Sequence, residues 1–461
     1  MVAIAATPEA VQLVHEGIRT LAQVERNGIM VNVPYLKEAI NDTHEQVKHL
    51  EHQLKSDRIW DIWRERFGRK ANIGSKSQLE TIIFEEMGGK YERSGRTTDS
   101  GEYSADEMAF EKVKKKCPFV ARYFEREKLS KALGTYLKGI ERELVGEWFY
   151  PIIDLHTAIT YRSSAQRPNI QNFPVRFAAI AEIIRKCIIA PKGYRIGEID
   201  YSGIEVCGSA CYHKDPRMIK YIENPESNMH LDMAVQLFKM SKDEIGKRVR
   251  NTAKNGFVFP EFYGSWYEDC AASMWDTMEI LDLRTGKEED GQTLRKHLKS
   301  VGLGSLEKFT KHCEAIEKDM WDVRFKVYKQ WKYDWWDLYV RRGWFKFYTG
   351  FVSQGLYNRK QVCNSPIQGD SFHMLLWAMI KLQKWLVKNK LKSRIIAEIH
   401  DSLLMYFHNK EVDYVLEKAH QIMTQDIRKH WKWIIVPMSI EAEIAPKGGS
   451  WFDKLKYEFT K

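Results

Sequence analysis

The chain has 461 residues, 44% of them hydrophobic and 12% aromatic with 15 Trp; that is enough for a sizeable core and, by length, roughly three domains or subdomains. Its 72 Lys and Arg against 62 Asp and Glu leave a net charge of +10, which fits a polyanionic partner although acids and bases are interspersed. No run of about 18 apolar residues exists, and the start, "MVAIAATPEAVQ", lacks a basic n-region and a long apolar centre, so neither a transmembrane helix nor a secretory signal is expected.

In chain order, residues 8 to 28 carry a helix pattern that ends at "NGI", and 34 to 67 form a long charged helical stretch. "NIGSKSQLETIIFEEMG" reads as a loop, an N-cap Ser and a short helix closed by Gly88. Residues 89 to 104 are polar and rich in Gly, Ser and Thr, the composition of a mobile tip; helix resumes from about 105 to 143. The texture then changes. "WFYPIIDLHT", "YRIGEIDYS" and "SRIIAEIHDSLLMYF" read as strands, and between the last two lies a long helical region, about 215 to 340, with Trp-rich "YKQWKYDWWDLYV". The seven Cys (117, 187, 207, 211, 270, 313, 363) are odd in number and scattered, and read as free thiols in a reducing cytoplasm. Cys207, Cys211 and His213 could suggest a metal site, but no second ligand pair follows nearby, and packed thiols beside a surface His explain them.

Two strands end in an acid: "EIDYSGIE" at Asp200 and "RIIAEIHDSLLMYF" at Asp401. Taken singly, either reads first as a turn residue. Brought together, two carboxylates repel and call for divalent cations, and oxygen-only ligands favour Mg²⁺, which leaves room for substrate phosphates. Two such ions about 3.5–4 Å apart make an in-line phosphoryl-transfer site. "GKRVRNTAKNGFVFPEFYGSW" adds Arg250 and Lys254, four apart and therefore on one helical face, a clamp suited to a triphosphate. Aromatics at 257, 259, 262 and 263 follow, where a base could stack.

With these three motifs in place, the chain resembles the polymerase region of family A DNA polymerases, the bacterial DNA polymerase I type. "DYSGIE" resembles the family's first palm motif, "IHDS" its third and "RNTAKNGFVFPEFYG" its fingers-helix motif. "ITYRSSAQRPNIQNFPVR" resembles the segment along the primer-template minor groove, "NSPIQGDSFHMLLWAM" the helix before the last palm motif, and "VPMSIEAEIAPKGGSW" the closing strand. "LAQVERNGIMVN" and "NIGSKSQLETIIFEEMG" resemble the lead-in helix and thumb, so the likeness covers nearly the whole chain.

The resemblance implies an α+β right-hand fold with an antiparallel palm sheet, a helical thumb and helical fingers. The expected divisions are a lead-in helix of the palm at 1–35, thumb at 36–140, palm at 141–235, fingers at 236–355 and palm again at 356–461. It implies that Asp200 and Asp401 hold two Mg²⁺ ions, and that Arg250, Lys254 and His230 contact an incoming dNTP. Glu205 would block the ribose 2′-OH position and hydrogen-bond Tyr263, with Phe259 near the nucleotide. Arg162 and Gln368 would touch minor-groove acceptors at the primer end, which are nearly sequence-independent. Asn169, Gln171 and Asn172 would lie along the primer-template backbone, and His400 near the primer terminus. Primer-template DNA and dNTPs are the expected partners, with no membrane and a cytoplasmic location (the host cytoplasm if the gene is a phage's).

The chain departs from the family pattern in four places. Gly203 stands where Gln is usual, Ser402 where Glu is usual, and Lys360 where an Arg usually precedes the "NxPxQG" segment. The fingers helix is one residue longer between Lys254 and Tyr263. Counting back from Tyr263 puts the stacking residue at Phe259, counting forward from Lys254 at Val258; Phe259 is the choice, because an apolar aromatic stacks on a base. Pro260 and the surplus residue predict a bulge or kink between Gly256 and Pro260. No cluster of acids suits a fused 3′–5′ exonuclease, so proofreading, or a processivity factor, would come from a separate protein. A single-subunit RNA polymerase would share the palm, but Glu205 argues against it. A degenerate primer-template-binding accessory subunit would not need Asp200, Asp401, Arg250, Lys254 and Tyr263 together, and a metal-dependent nuclease would need further acids.

Overall fold

A computed structural model describes residues 5–91, 93, 103–174 and 178–459. Most of the polar tip expected over 89–104 lies outside the described residues.

The first helix, Pro8–Asn27, starts at Thr7, whose hydroxyl accepts the Ala10 N–H at 3.3 Å, and stops at Gly28, φ +64°. Its buried stripe, Ala10, Leu13, Gly17, Leu21 and Val24, repeats every three to four residues. At Gly17 a Cβ would sit 3.1 Å from Leu376, so the absent side chain lets this helix lie close on the long helix Arg359–Lys388. Helices Val33–Lys55, Arg58–Phe67 and Pro118–Lys131 enclose a second core around Trp63, Phe110, Phe119 and Tyr123, separate from the main one. That core falls within 36–140. Helix in this region is more broken than the pattern over 105–143 predicts: a short turn at Met108–Phe110 and helix Glu111–Lys114 precede Pro118.

The main core surrounds a five-stranded antiparallel sheet. Its strands are β1 (Tyr194–Tyr201), β2 (Arg394–Ile399), β3 (Ser402–His408), β4 (Ile440–Ile444) and β5 (Leu455–Tyr457), in spatial order β5-β4-β1-β3-β2. Alternation sorts the side chains. Ile199, Tyr201, Ile440 and Ala442 face the helices, where the Tyr201 hydroxyl donates to the Met423 carbonyl at 2.9 Å. Glu198 and Asp200 on β1 and Glu441 and Glu443 on β4 share the opposite face, paired Asp200 with Glu441 and Glu198 with Glu443. Strands β2 and β3 form a hairpin whose two loop residues are His400, φ +59°, and Asp401.

The helical region between β1 and β2 runs from Pro216 to Arg342 in several pieces. Helices Tyr267–Ile280, Leu294–Ser300 and Leu306–Lys318 follow the fingers-helix motif and bury Met274, Leu298 and Phe309 in the main core. All seven Cys are free and buried, and His213 is buried beside them rather than at the surface as expected. Cys207 and Cys211 are 6% and 1% exposed and lie one helical turn apart in Ile204–His213.

Candidate active site

Asp200 is the last outward-facing residue of β1, and Asp401 sits at the tip of the neighbouring hairpin. The Tyr201 N–H donates to the Asp401 carbonyl at 3.2 Å, which fixes the two backbones side by side. Asp200 is exposed on the acid face of the sheet. Desolvation by the sheet floor, then repulsion from Asp401, Glu198 and Glu441, push it up to about 7, with Lys454 in partial opposition. Burial also raises Asp401, against the pull of Arg162. Two oxygen-donor groups that resist carrying their charges together are what a bound divalent cation relieves. Mg²⁺ needs only one or two protein carboxylates beside water and substrate phosphates. The donor set therefore fits the expected metal.

After Asp200 the chain turns sharply. Gly203, φ +66°, starts helix Ile204–His213 in a left-handed conformation that strains residues with a side chain. This gives a local reason for Gly where the family pattern has Gln. Glu205 follows in the first helical turn. It accepts the Tyr263 hydroxyl at 2.5 Å and Arg162 Nη1 at 3.3 Å. Arg162 Nη2 lies 3.6 Å from Asp401 Oδ1, so one guanidinium links the Glu205–Tyr263 pair to Asp401. The Glu205 side chain and Tyr263 meet as the motif resemblance implies.

Tyr263 comes from the far end of a composite helix. Helix Lys247–Ala253 passes into a π turn, Lys254–Val258, and then into Phe259–Phe262. The Phe259 N–H reaches back five residues to the Lys254 carbonyl. The expected bulge is thus a widened turn just ahead of Pro260, at the point where Pro260 cannot donate. Gly256 sits against helix Tyr267–Ile280, where a Cβ would lie 2.5 Å from Met274 Cγ. Val258 is fully buried, whereas Phe259 is half-buried with Lys254 Nζ 5.0 Å over its ring. The His230 ring meets the same Phe259 edge-on at 5.4 Å. Burial, then the Lys254 and Arg250 charges, hold His230 down at about 4, and its Nδ1 has no hydrogen-bond partner. His230 and Arg250 line a cleft of about 910 Å³ together with Ser202, Gly203 and Glu441, on the acid face of the sheet.

The remaining expected residues divide. His400 is exposed at the hairpin tip beside Asp401. Gln368 is half-buried in helix Arg359–Lys388, one residue before Gly369, which packs against Phe347 and the Thr160 carbonyl. Asn169 and Asn172 line a cavity of about 390 Å³ with Lys131, Thr135 and Tyr136, away from the aspartates, and the buried Asn169 Oδ1 has no partner. Lys360 lies on the other side of Tyr263, in a cleft of about 490 Å³ with Arg359, Lys332 and Trp266. The Gln171 amide accepts the Ala165 N–H at 3.1 Å and donates to Ser163 at 2.9 Å and Glu398 at 3.1 Å, so its hydrogen bonds are made within the protein.

Sequence reading missed Glu198, Glu398, Glu441 and Lys454. The available signal was alternation: Glu198 and Asp200, and Glu441 and Glu443, are two apart in strands and so share a face.

A sequence profile of DNA polymerase family A matches residues 35–276 and 337–452. The unmatched gap between them holds helices Leu294–Ser300 and Leu306–Lys318. The chain is 25% identical over 439 residues to DNA polymerase I of Bacillus subtilis (strain 168), covering 94% of this chain and 44% of that protein. It is 24% identical over 411 residues to the thermostable DNA polymerase I of Thermus aquaticus, covering 87% and 44%. The chain thus spans under half the length of these relatives. The polymerase domain of Pol1 from M. smegmatis, solved with primer-template DNA and dNTP, superposes with a TM-score of 0.73 at 20% identity, over 95% of this chain and 70% of that one.

Proposed function

Because the chain belongs to DNA polymerase family A, we propose that it adds deoxynucleoside monophosphates to a primer 3′-OH under template direction, releasing pyrophosphate. The observation that carries this reading is the juxtaposition of Asp200 and Asp401, both with raised carboxyl pKa, on the same side of the sheet as the Arg250–His230 cleft. Asp200 and Asp401 would hold two Mg²⁺ ions. Bound there, the ions would acidify the primer hydroxyl and neutralise charge on the transferred phosphoryl group.

The chain's own residues would do the rest. Arg250 and Lys254 present fixed cations to the triphosphate. His230, neutral at pH 7, offers a hydrogen bond without adding charge. Phe259 stacks on the incoming base, and Lys254 above its ring keeps that ring in place. Glu205, anchored by Tyr263 and Arg162, fills the space that a 2′-OH needs. Lys131, Asn169 and Asn172 supply polar and cationic contacts for a primer-template duplex. In this reading 36–140 is the thumb, 236–355 the fingers, and the five-stranded sheet the palm floor.

The test is primer extension on a defined template with Mg²⁺, with dNTPs and NTPs supplied separately. Extension with dNTPs alone supports the reading. Equal extension with NTPs would favour an RNA polymerase, and binding without extension an accessory subunit.

A further inference from the structure

Glu198 has no part in the reading above, yet it is the best-connected side chain on the sheet floor. It lies two residues before Asp200 on the same face of β1. Its Oε1 accepts the Ser402 hydroxyl at 2.6 Å, and its Oε2 accepts Trp451 Nε1 at 3.1 Å and Lys454 Nζ at 2.5 Å. Lys454, itself almost fully buried, bonds Glu443 at 2.8 Å with the same ammonium. One carboxylate therefore ties β1 to β3 and to the segment that leads into β5.

The β3 partner is the informative one. Ser402 follows Asp401 directly, is 3% exposed, and pairs with Asp200 across the strands. It is also the position where the family pattern has an acid. With Glu198 at hydrogen-bond distance, an acid at 402 would set two carboxylates against each other in a nearly dry spot. A hydroxyl there donates to Glu198 instead.

We propose that Glu198 is a positioning residue for Asp401, supplying from β1 the carboxylate that the family pattern places at 402 on β3. Its hold on Ser402 fixes the hairpin tip, and with it the spacing of Asp401 from Asp200. The inference rests on the polymerase reading and concerns how this chain sets the geometry of its two metal-holding carboxylates.

The test is an exchange of the two residues. Wild type, Glu198→Ala, Ser402→Ala, Ser402→Glu and the double variant Glu198→Ser/Ser402→Glu are compared by single-nucleotide extension. Mn²⁺ affinity of each enzyme–primer-template complex is read separately by electron paramagnetic resonance, and thermal melting reports folding. Glu198→Ala and Ser402→Glu should each lower kcat and Mn²⁺ affinity by about 10–100-fold, with KM for dNTP and the primer-template Kd within about twofold of wild type. Ser402→Ala, which removes only the hydroxyl, should show a smaller loss of the same kind. The double variant should recover at least about tenfold over the weaker single, a non-additivity expected only of partners. A double variant no better than the weaker single, or losses spread equally over KM, Kd and melting temperature, would overturn the inference while leaving an active polymerase. A wild type that binds primer-template and never extends it would remove the polymerase reading and this inference together.

Discussion

Glu398 provides a measurement of how the palm floor handles a buried acid. It sits in β2 at 1% exposure, with Oε2 held by Ser163 and by Gln171 at 3.1 Å, and Oε1 without a partner. Burial pushes its carboxyl up to about 7 from an ordinary 4.5, although Ser163, Arg162 and Gln171 favour the ionised form. A carboxyl with a raised folded-state pKa stabilises the fold fully below its unfolded value and loses that contribution as pH rises through the folded one. The gap from 4.5 to about 7, at about 1.4 kcal/mol per pH unit, makes the loss about 3 kcal/mol, incurred between about pH 4.5 and 7. Glu398→Gln keeps the shape and an acceptor for Ser163 but cannot ionise. Near pH 5 the two proteins should therefore be within about 1 kcal/mol, and near pH 8 the variant should be more stable by about 2–3 kcal/mol. Urea unfolding of both proteins across that range, followed by tryptophan fluorescence, gives the difference directly, and groups common to both cancel. A wild-type-minus-variant difference that stays flat with pH, or that grows in favour of wild type as pH rises, would refute the argument.

Asp200→Asn and Asp401→Asn should each lower extension by at least ~100-fold while primer-template affinity stays near wild type, because the proposed reaction gives them metals and not DNA phosphates as partners; activity within tenfold of wild type, read by single-turnover extension, would remove the two-metal assignment. Glu205→Ala releases Tyr263 and Arg162 and opens the space beside the sugar, so ribonucleotide incorporation should rise by about 10–100-fold relative to dNTP use; competition assays with unchanged selectivity would count against the gate. Gly369→Ala drives a Cβ into Phe347 and the Thr160 carbonyl, so it should cost about 1–3 kcal/mol or more, seen as a lower melting temperature.

Asp200 and Asp401 were legible because each interrupts an apolar strand pattern at its end, and a strand's period shows which side chains share a face. The π turn was legible because Pro260 removes a donor that an α-helix needs there. Aromaticity singles out Phe259 over Val258 in the sequence, and burial adds a second difference, Val258 being buried and Phe259 half-buried. The Glu198–Ser402 bond joins positions 204 apart and the Glu198–Lys454 bond positions 256 apart. No local period reports which strands become neighbours, so this network was invisible, and Ser402 stood out only as an unexplained departure. The internal hydrogen bonds of Gln171 were invisible for the same reason. A polar side chain before a sheet looks alike whether it meets solvent or a buried acid on a strand more than two hundred residues later.

The π turn at Lys254–Val258 bears on how such a helix tolerates changes in length over descent. A residue inserted into an unbroken α-helix rotates everything after it by about 100°. Here the surplus residue is confined to one widened turn. Arg250 and Lys254 precede or begin that turn, and Tyr263 beyond it still arrives at Glu205. The cationic half and the aromatic half are thereby joined through a single widened turn, which sets their relative phase. Met274, lodged against Gly256, marks the joint between them.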